Sequence, residues 1–157
     1  MQSISLEAVI AITERSKRTW WRRMAEQQVK RLAKDAAGRT TVLFDDIVQD
    51  LCIRLDDEAK ALLFLADAGH AEAQNEVGQL FLAAEKPEAA VYWLRASAEQ
   101  GYADAMQLLG GCYAAGKGVP KNVHLSLMWI AKAAAGGHLV ALSQVSGLLS
   151  FNKPLAH

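Results

Sequence analysis

The sequence predicts a mainly α-helical chain in two parts: two short helices with a small β-hairpin, then an α-solenoid of about two and a half repeats. Three observations carry that prediction. A glycine-anchored pattern recurs at intervals of 32 and 36 residues in the second half. Two short apolar or aromatic segments, each opened by a serine, stand near the N-terminus. The charge is segregated: the formal net charge is zero, yet residues 14–39 hold nine Lys and Arg against three Asp and Glu, whereas eight face ten after residue 50. Such segregation points to a basic working surface on a neutral-to-acidic body. At 157 residues, 52% hydrophobic and 22% charged, the chain can bury a real core as one ordinary domain or two small ones.

The first element is "SLEAVIAI" (5–12), with Ser5 placed as a cap and Leu6, Val9 and Ile10 facing inward. "TER" (13–15) makes a three-residue turn, and Ser16 caps the helix that begins "KRTWWRRMAEQ". Adjacent residues on a helix point about 100° apart, so Trp20 and Trp21 cannot share the centre of one apolar stripe. Trp20 lies one turn from Met24, toward the first helix, and is predicted core; Trp21 is predicted at the rim. In "VKRLAKDAAGRTTVLF" (29–44), two β-prone arms flank "DAAG", a hairpin with Gly38 at its turn. "DDIVQDLCIRL" (45–55) is predicted to begin a helix, with acids in the first turn where the dipole favours them.

In the second half "AGHAEAQNEVG" (68–78), "QGYADAMQLLG" (100–110) and "GGHLVALSQVS" (136–146) align. Gly69, Gly101 and Gly137 fall in register, as do Ala73, Ala105 and Ala141, then Gly78, Gly110 and Ser146. A period of this length with helical apolar spacing describes stacked helix–turn–helix units. Within it, Ala105, Leu109, Gly110, Tyr113, Gly116, Gly118, Val119, Trp129, Ala133, Ala134 and Gly137 follow the pattern of the Sel-one-like repeat, a relative of the tetratricopeptide repeat. Asn122 stands where that family has Asp and is still a competent N-cap. The resemblance spans roughly 58–150 and implies a protein-interaction scaffold without chemistry of its own.

The first half resembles a winged helix-turn-helix of the excisionase and mercury-resistance-regulator type over about 3–55, on Ser16, Thr19, Trp20, Trp21 and Arg22. The family often has Gly after the second helix, where "EQQV" stands here. The resemblance divides the chain into a DNA-binding domain over 1–55 and a repeat domain over 56–157. It implies duplex DNA as a partner, contacted by Ser16, Lys17, Arg18, Trp21, Arg22 and Arg23 from the helix and by Lys30, Arg31, Lys34 and Arg39 from the wing.

No enzyme is expected. No Ser/His/Asp order, carboxylate pair or phosphate-binding loop stands out, and no cofactor or metal is implied. His70 and His138 share one repeat position, which Tyr102 fills in the middle copy, so a packing role is predicted. Cys52 and Cys112 are isolated and read as small hydrophobes. The N-terminus lacks the form of a signal peptide and no stretch reads as a membrane span, so a cytoplasmic protein is expected. Between Lys132 and Lys153 no Asp, Glu, Lys or Arg occurs. There Leu139, Leu142, Val145, Leu148, Leu149 and Phe151 spread wider than one buried stripe requires, which predicts a partner surface, a homodimer in the first instance; the alternative is that the tail "FNKPLAH" folds back as the cap. Two functional readings follow, beside a third in which the chain is a purely structural fragment of a larger assembly. One is a DNA-binding transcriptional regulator that dimerises or recruits a protein through its repeats. The other is a protein–protein interaction adaptor whose helix-turn-helix does not bind DNA.

Overall fold

Helix α1, Leu6–Thr13, starts where the Ser5 hydroxyl accepts from the Ala8 N–H, and it ends at Glu14, whose φ of 54° turns the chain left-handed. Its buried face is Leu6, Ala8, Val9 and Ile12. The predicted Ile10 is only half-buried, because this short helix turns Ile12 into the core in its place. Helix α2, Lys17–Ala25, is capped by Ser16, whose hydroxyl accepts from the Thr19 N–H. Trp20 is fully buried, its Nε1 donating to Thr13 Oγ1 at 3.3 Å, while Trp21 stays 37% exposed. These elements come from a computed structural model that describes residues 1–150.

The hairpin is smaller than predicted, and its main strand pairs elsewhere. Strand β2, Thr41–Leu43, runs antiparallel to β1, Ser3–Ser5, with Ile4 opposite Val42. The arm at 29–33 keeps the bridge Arg31–Val42, one bond from the Leu32 N–H to the Thr41 carbonyl and one from the Thr41 hydroxyl to the Ala33 carbonyl. Strand β1 covers the other edge of β2, and a chain of alternating polarity three residues long carries too little pattern to be read in advance. At the tip, the Asp35 carboxylate accepts from the backbone N–H of Ala37 and Arg39, and Gly38 takes φ +77°.

The helix expected from Asp45 is instead two 3₁₀ turns, Phe44–Asp46 and Val48–Asp50. Phe44 and Ile47 are both buried, and a spacing of three suits the 3₁₀ period. Beyond them the Cys52 N–H bonds to the Ile12 carbonyl, which draws the chain out of helical geometry. Helix α3, Asp57–Asp67, is capped by Asp56 and belongs with these elements. Its Asp67 carboxylate accepts from the Ser5 N–H and hydroxyl and from Arg39. Met1–Gly69 forms one compact unit.

The second unit begins at His70. It consists of α4 (Ala71–Ala83), α5 (Pro87–Glu99), α6 (Ala103–Ala115), α7 (Val123–Ala135) and α8 (Leu139–Ser150), each packed on the next. Glycines set the approach of each antiparallel pair: a Cβ on Gly78 would stand 2.7 Å from the Leu94 side chain, and one on Gly110 2.7 Å from Ile130. The core between the pairs is Val91, Leu94, Ala98, Ala105, Leu109 and Cys112. Ile130, Ala133, Ala134 and Ala141 extend it to α8. Pro87 opens α5 at the first-turn position its missing N–H permits.

Candidate functional site

Two surfaces stand out, one in each unit. In the first, the exposed side of α2 carries Lys17, Arg18, Trp21 and Arg22, which fall within about 140° of helix circumference at 100° per residue. Lys30, Arg31 and Lys34 of the hairpin arm are exposed as well. Arg31 stacks its guanidinium 5.4 Å from the centre of the Trp21 ring, which ties that arm to α2. None of these six cations forms an ion pair among the described residues. Ser16 serves the helix: its hydroxyl is occupied by Thr19.

Two of the predicted contact residues are engaged inside the unit. Arg23 pairs with Asp50, Nη1 to Oδ2 at 2.6 Å, and lies 4.9 Å over the Trp20 ring. Arg15 meets the same carboxylate at 2.6 Å, and hydrogen bonding from Arg23 holds the Asp50 carboxyl below the usual range. Arg39 reaches Asp35 at 2.8 Å and Asp67 at 3.0 Å, joining the hairpin tip, β1 and the end of α3. Local composition groups Arg23 and Arg39 with the outward cations. Asp35 stands four residues before Arg39, but the distant acceptors Asp50 and Asp67 lie 27 and 28 residues away, and no spacing rule connects them.

In the second unit the apolar surface gathers at the last two helices. On α8, Leu139 is 81% and Leu149 66% exposed, and Leu142 is 42% exposed. Val145 is half-buried against the Ile130–Ala133 cluster. Phe151 lies outside the described residues. Leu148 of α8 is exposed as well, and Val140 of α8 with Val123, Leu127 and Met128 of α7 adds exposed apolar area that only the packed helices reveal. A half-open cleft of about 490 Å³ also lies in this unit, lined by Leu82, Pro87, Leu108, Gly111 and Cys112 with Glu85 and Lys117. Burial pushes the Cys112 thiol up, away from the reactive thiolate.

His70 and His138 hold helix-start positions. His70 precedes α4. His138 Nδ1 accepts from the Ala141 N–H at 3.2 Å, and its Nε2 faces Asp104 at 3.1 Å. Among the described residues no group of three His, Cys, Asp or Glu side chains could hold a metal ion. No single helix there is long and apolar enough to cross a membrane; α7 with α8 reaches the length only as a pair bent by 119°.

Known proteins match the second unit. Residues 71–102 and 103–138 each fit the family model described as Sel1 repeat. Among solved structures, a Sel1 repeat protein from Oxalobacter formigenes is 34% identical with a TM-score of 0.52, over 55% of this chain and 26% of that one. The protective antigen c5321 of uropathogenic Escherichia coli strains, which displays an SLR fold, is 28% identical with a TM-score of 0.53, over 60% of this chain and 22% of that one. The chain thus spans about a quarter of the length of the structures it matches. No curated protein matches it. The two matched stretches coincide with the helix pairs α4–α5 and α6–α7 and their glycine contacts, which are thus similar to Sel1 repeats.

Proposed function

We propose that the chain is a protein-interaction module whose repeat unit holds a partner on the outer face of α7 and α8. One observation carries the reading: exposed Leu and Val side chains crowd α8, within a segment without a formal charge from Ala133 to Ser150, and exposed Val123, Leu127 and Met128 stand on α7, the helix on which α8 packs. Exposed apolar side chains gathered on neighbouring helices mark an interaction site. The module needs no catalytic group, and its helices supply a rigid frame. A photo-crosslinking residue placed at Leu142 or Leu127 is expected to capture a protein in cells, whereas one at the exposed Glu99 of α5 is not. Equal yields at the three positions, or none, would overturn the reading.

The one-sided cations of α2 support a second reading, in which the first unit is a winged helix-turn-helix that binds duplex DNA. Lys17, Arg18 and Arg22 would meet phosphates, with Trp21 packed beside them and Lys30 and Lys34 on the backbone. Fluorescence anisotropy with a mixed-sequence duplex at about 50 mM salt tests it. Binding should weaken steeply with salt, and Arg18→Ala with Arg22→Ala should lower the slope by about one unit per lost phosphate contact. No measurable binding by the wild type rejects this reading and leaves the first one standing.

A further inference from the structure

Helices α4, α6 and α8 begin after His70, Tyr102 and His138, which share one repeat position but not one role. Neither His70 nor Tyr102 caps its helix through the side chain. His138 does: its Nδ1 accepts from the Ala141 N–H at 3.2 Å, and its Nε2 stands 3.1 Å from Asp104 Oδ1 at the start of α6. A backbone N–H can only donate, so Nδ1 presents its lone pair to Ala141. The ring proton is then on Nε2, where the Asp104 carboxylate accepts it. Together the two contacts select one tautomer of a neutral ring and tie the first turn of α8 to α6.

A second proton cannot enter without breaking this arrangement. An imidazolium carries N–H on both nitrogens, so its Nδ1–H would face the Ala141 N–H with no acceptor between them. It would also place positive charge at a helix N-terminus, where the dipole opposes it. Asp104 pulls the other way, because a carboxylate favours the charged ring. Its side chain is 56% exposed, so water screens that attraction, whereas the His138 side chain is only 15% exposed. The lost cap therefore outweighs the gain. Among the other charged or titratable groups of the packed helices, Lys132 near the end of α7 lies 5.0 Å over the Trp129 ring. His124 of α7 and Cys112 and Tyr113 of α6 stand at the opposite ends of those helices, and α8 carries none. Helix α8 is also thinly anchored. Ala141 is its one buried residue among the described positions, with the half-buried Val145 beside the same cluster, so its first turn depends on the cap.

We propose that His138 is a proton-operated latch: neutral, it holds the first turn of α8, and protonated, it lets that turn go. The latch would place the docking face under pH control, a consequence that rests on the docking reading, but its test reads the helix itself and so fails or succeeds separately. Amide hydrogen exchange followed by NMR gives protection relative to the intrinsic rate at each pH. Protection at Ala141 and Leu142 should fall about fivefold between about pH 8 and 5.5, the worth of a typical cap over the range in which histidine takes up its proton. Met106, which holds the position of Leu142 in α6 behind a Tyr102 that makes no side-chain cap, should not change. His138→Ser keeps a cap that does not titrate, so its protection should stay level across the range. Should that variant fail to fold, His138→Asn supplies another cap that does not titrate and carries the same expectation. Level protection in the wild type overturns the proposal, and so does a fall of the same size in the Ser or Asn variant.

Discussion

Trp20 and Trp21 are neighbours with different environments, and their truncations should separate accordingly. Trp20 is fully buried with its indole N–H satisfied, so Trp20→Ala should cost about 3–5 kcal/mol, the range for a deleted core aromatic. Trp21→Ala removes a 37% exposed ring and should cost clearly less. Urea melts of the two variants check the order, and the reverse order would contradict the helix register. Gln27 offers the opposite test. It holds φ 59° without being glycine, just after α2, where left-handed backbone costs an L-residue about 1–2 kcal/mol. Gln27→Gly should raise the melting midpoint modestly, since the relief outweighs the greater freedom of the unfolded chain. Gly118 lies at φ +70°, and a Cβ there would stand 2.3 Å from the Pro87 carbonyl oxygen. Gly118→Ala should therefore destabilise the repeat unit, seen as earlier melting of its helical signal.

Among the elements, α2 is held by a carboxylate rather than by apolar area alone. Asp50 draws in Arg15 and Arg23, and hydrogen bonding from Arg23 lowers its pKa. A lowered carboxyl pKa contributes stability that is present above the unfolded value and lost as pH falls through the folded one. The first unit should accordingly lose stability on acidification through the carboxylate range. Asp50→Asn should be less stable at neutral pH and flatter in that range, as chemical denaturation at a series of pH values would measure. A variant that keeps the wild-type acid profile would show that Asp50 is not the group responsible. The repeat helices are held differently, by small residues against branched ones. Leu109 is fully buried between helix pairs, and Leu109→Ala should cost about 2–5 kcal/mol, read from the unfolding of the repeat unit.

For the molecule as a whole, surface chemistry divides between the two units. The unpaired cations concentrate in the first unit and the neutral apolar face in the second. Ionic strength should therefore act on the two surfaces in opposite ways. Contacts through α8 should persist or strengthen at high salt, because apolar burial is not screened. Any duplex binding through α2 should fall away. Crosslinking yield at Leu142 and duplex anisotropy, measured over one salt series, would reveal a shared surface if they declined together.

What the sequence by itself determined was everything that repeats or caps locally. The 32- and 36-residue periods located α4 to α8, because glycine and alanine at fixed steps are demanded by helix approach wherever the copies stack. Ser5 and Ser16 announced two helix starts, because a cap acts on N–H groups two or three residues away. Tertiary structure alone decided the rest. Strand β1 exists because β2 offers it an edge, and the predicted helix after Asp45 gave way to 3₁₀ turns because Phe44, Ile47 and the Cys52 N–H are drawn to the core. The basic segment was visible as composition, but which cations face out depended on Asp50 and Asp67, far along the chain. A charge is local in sequence, whereas its partner is set by the fold.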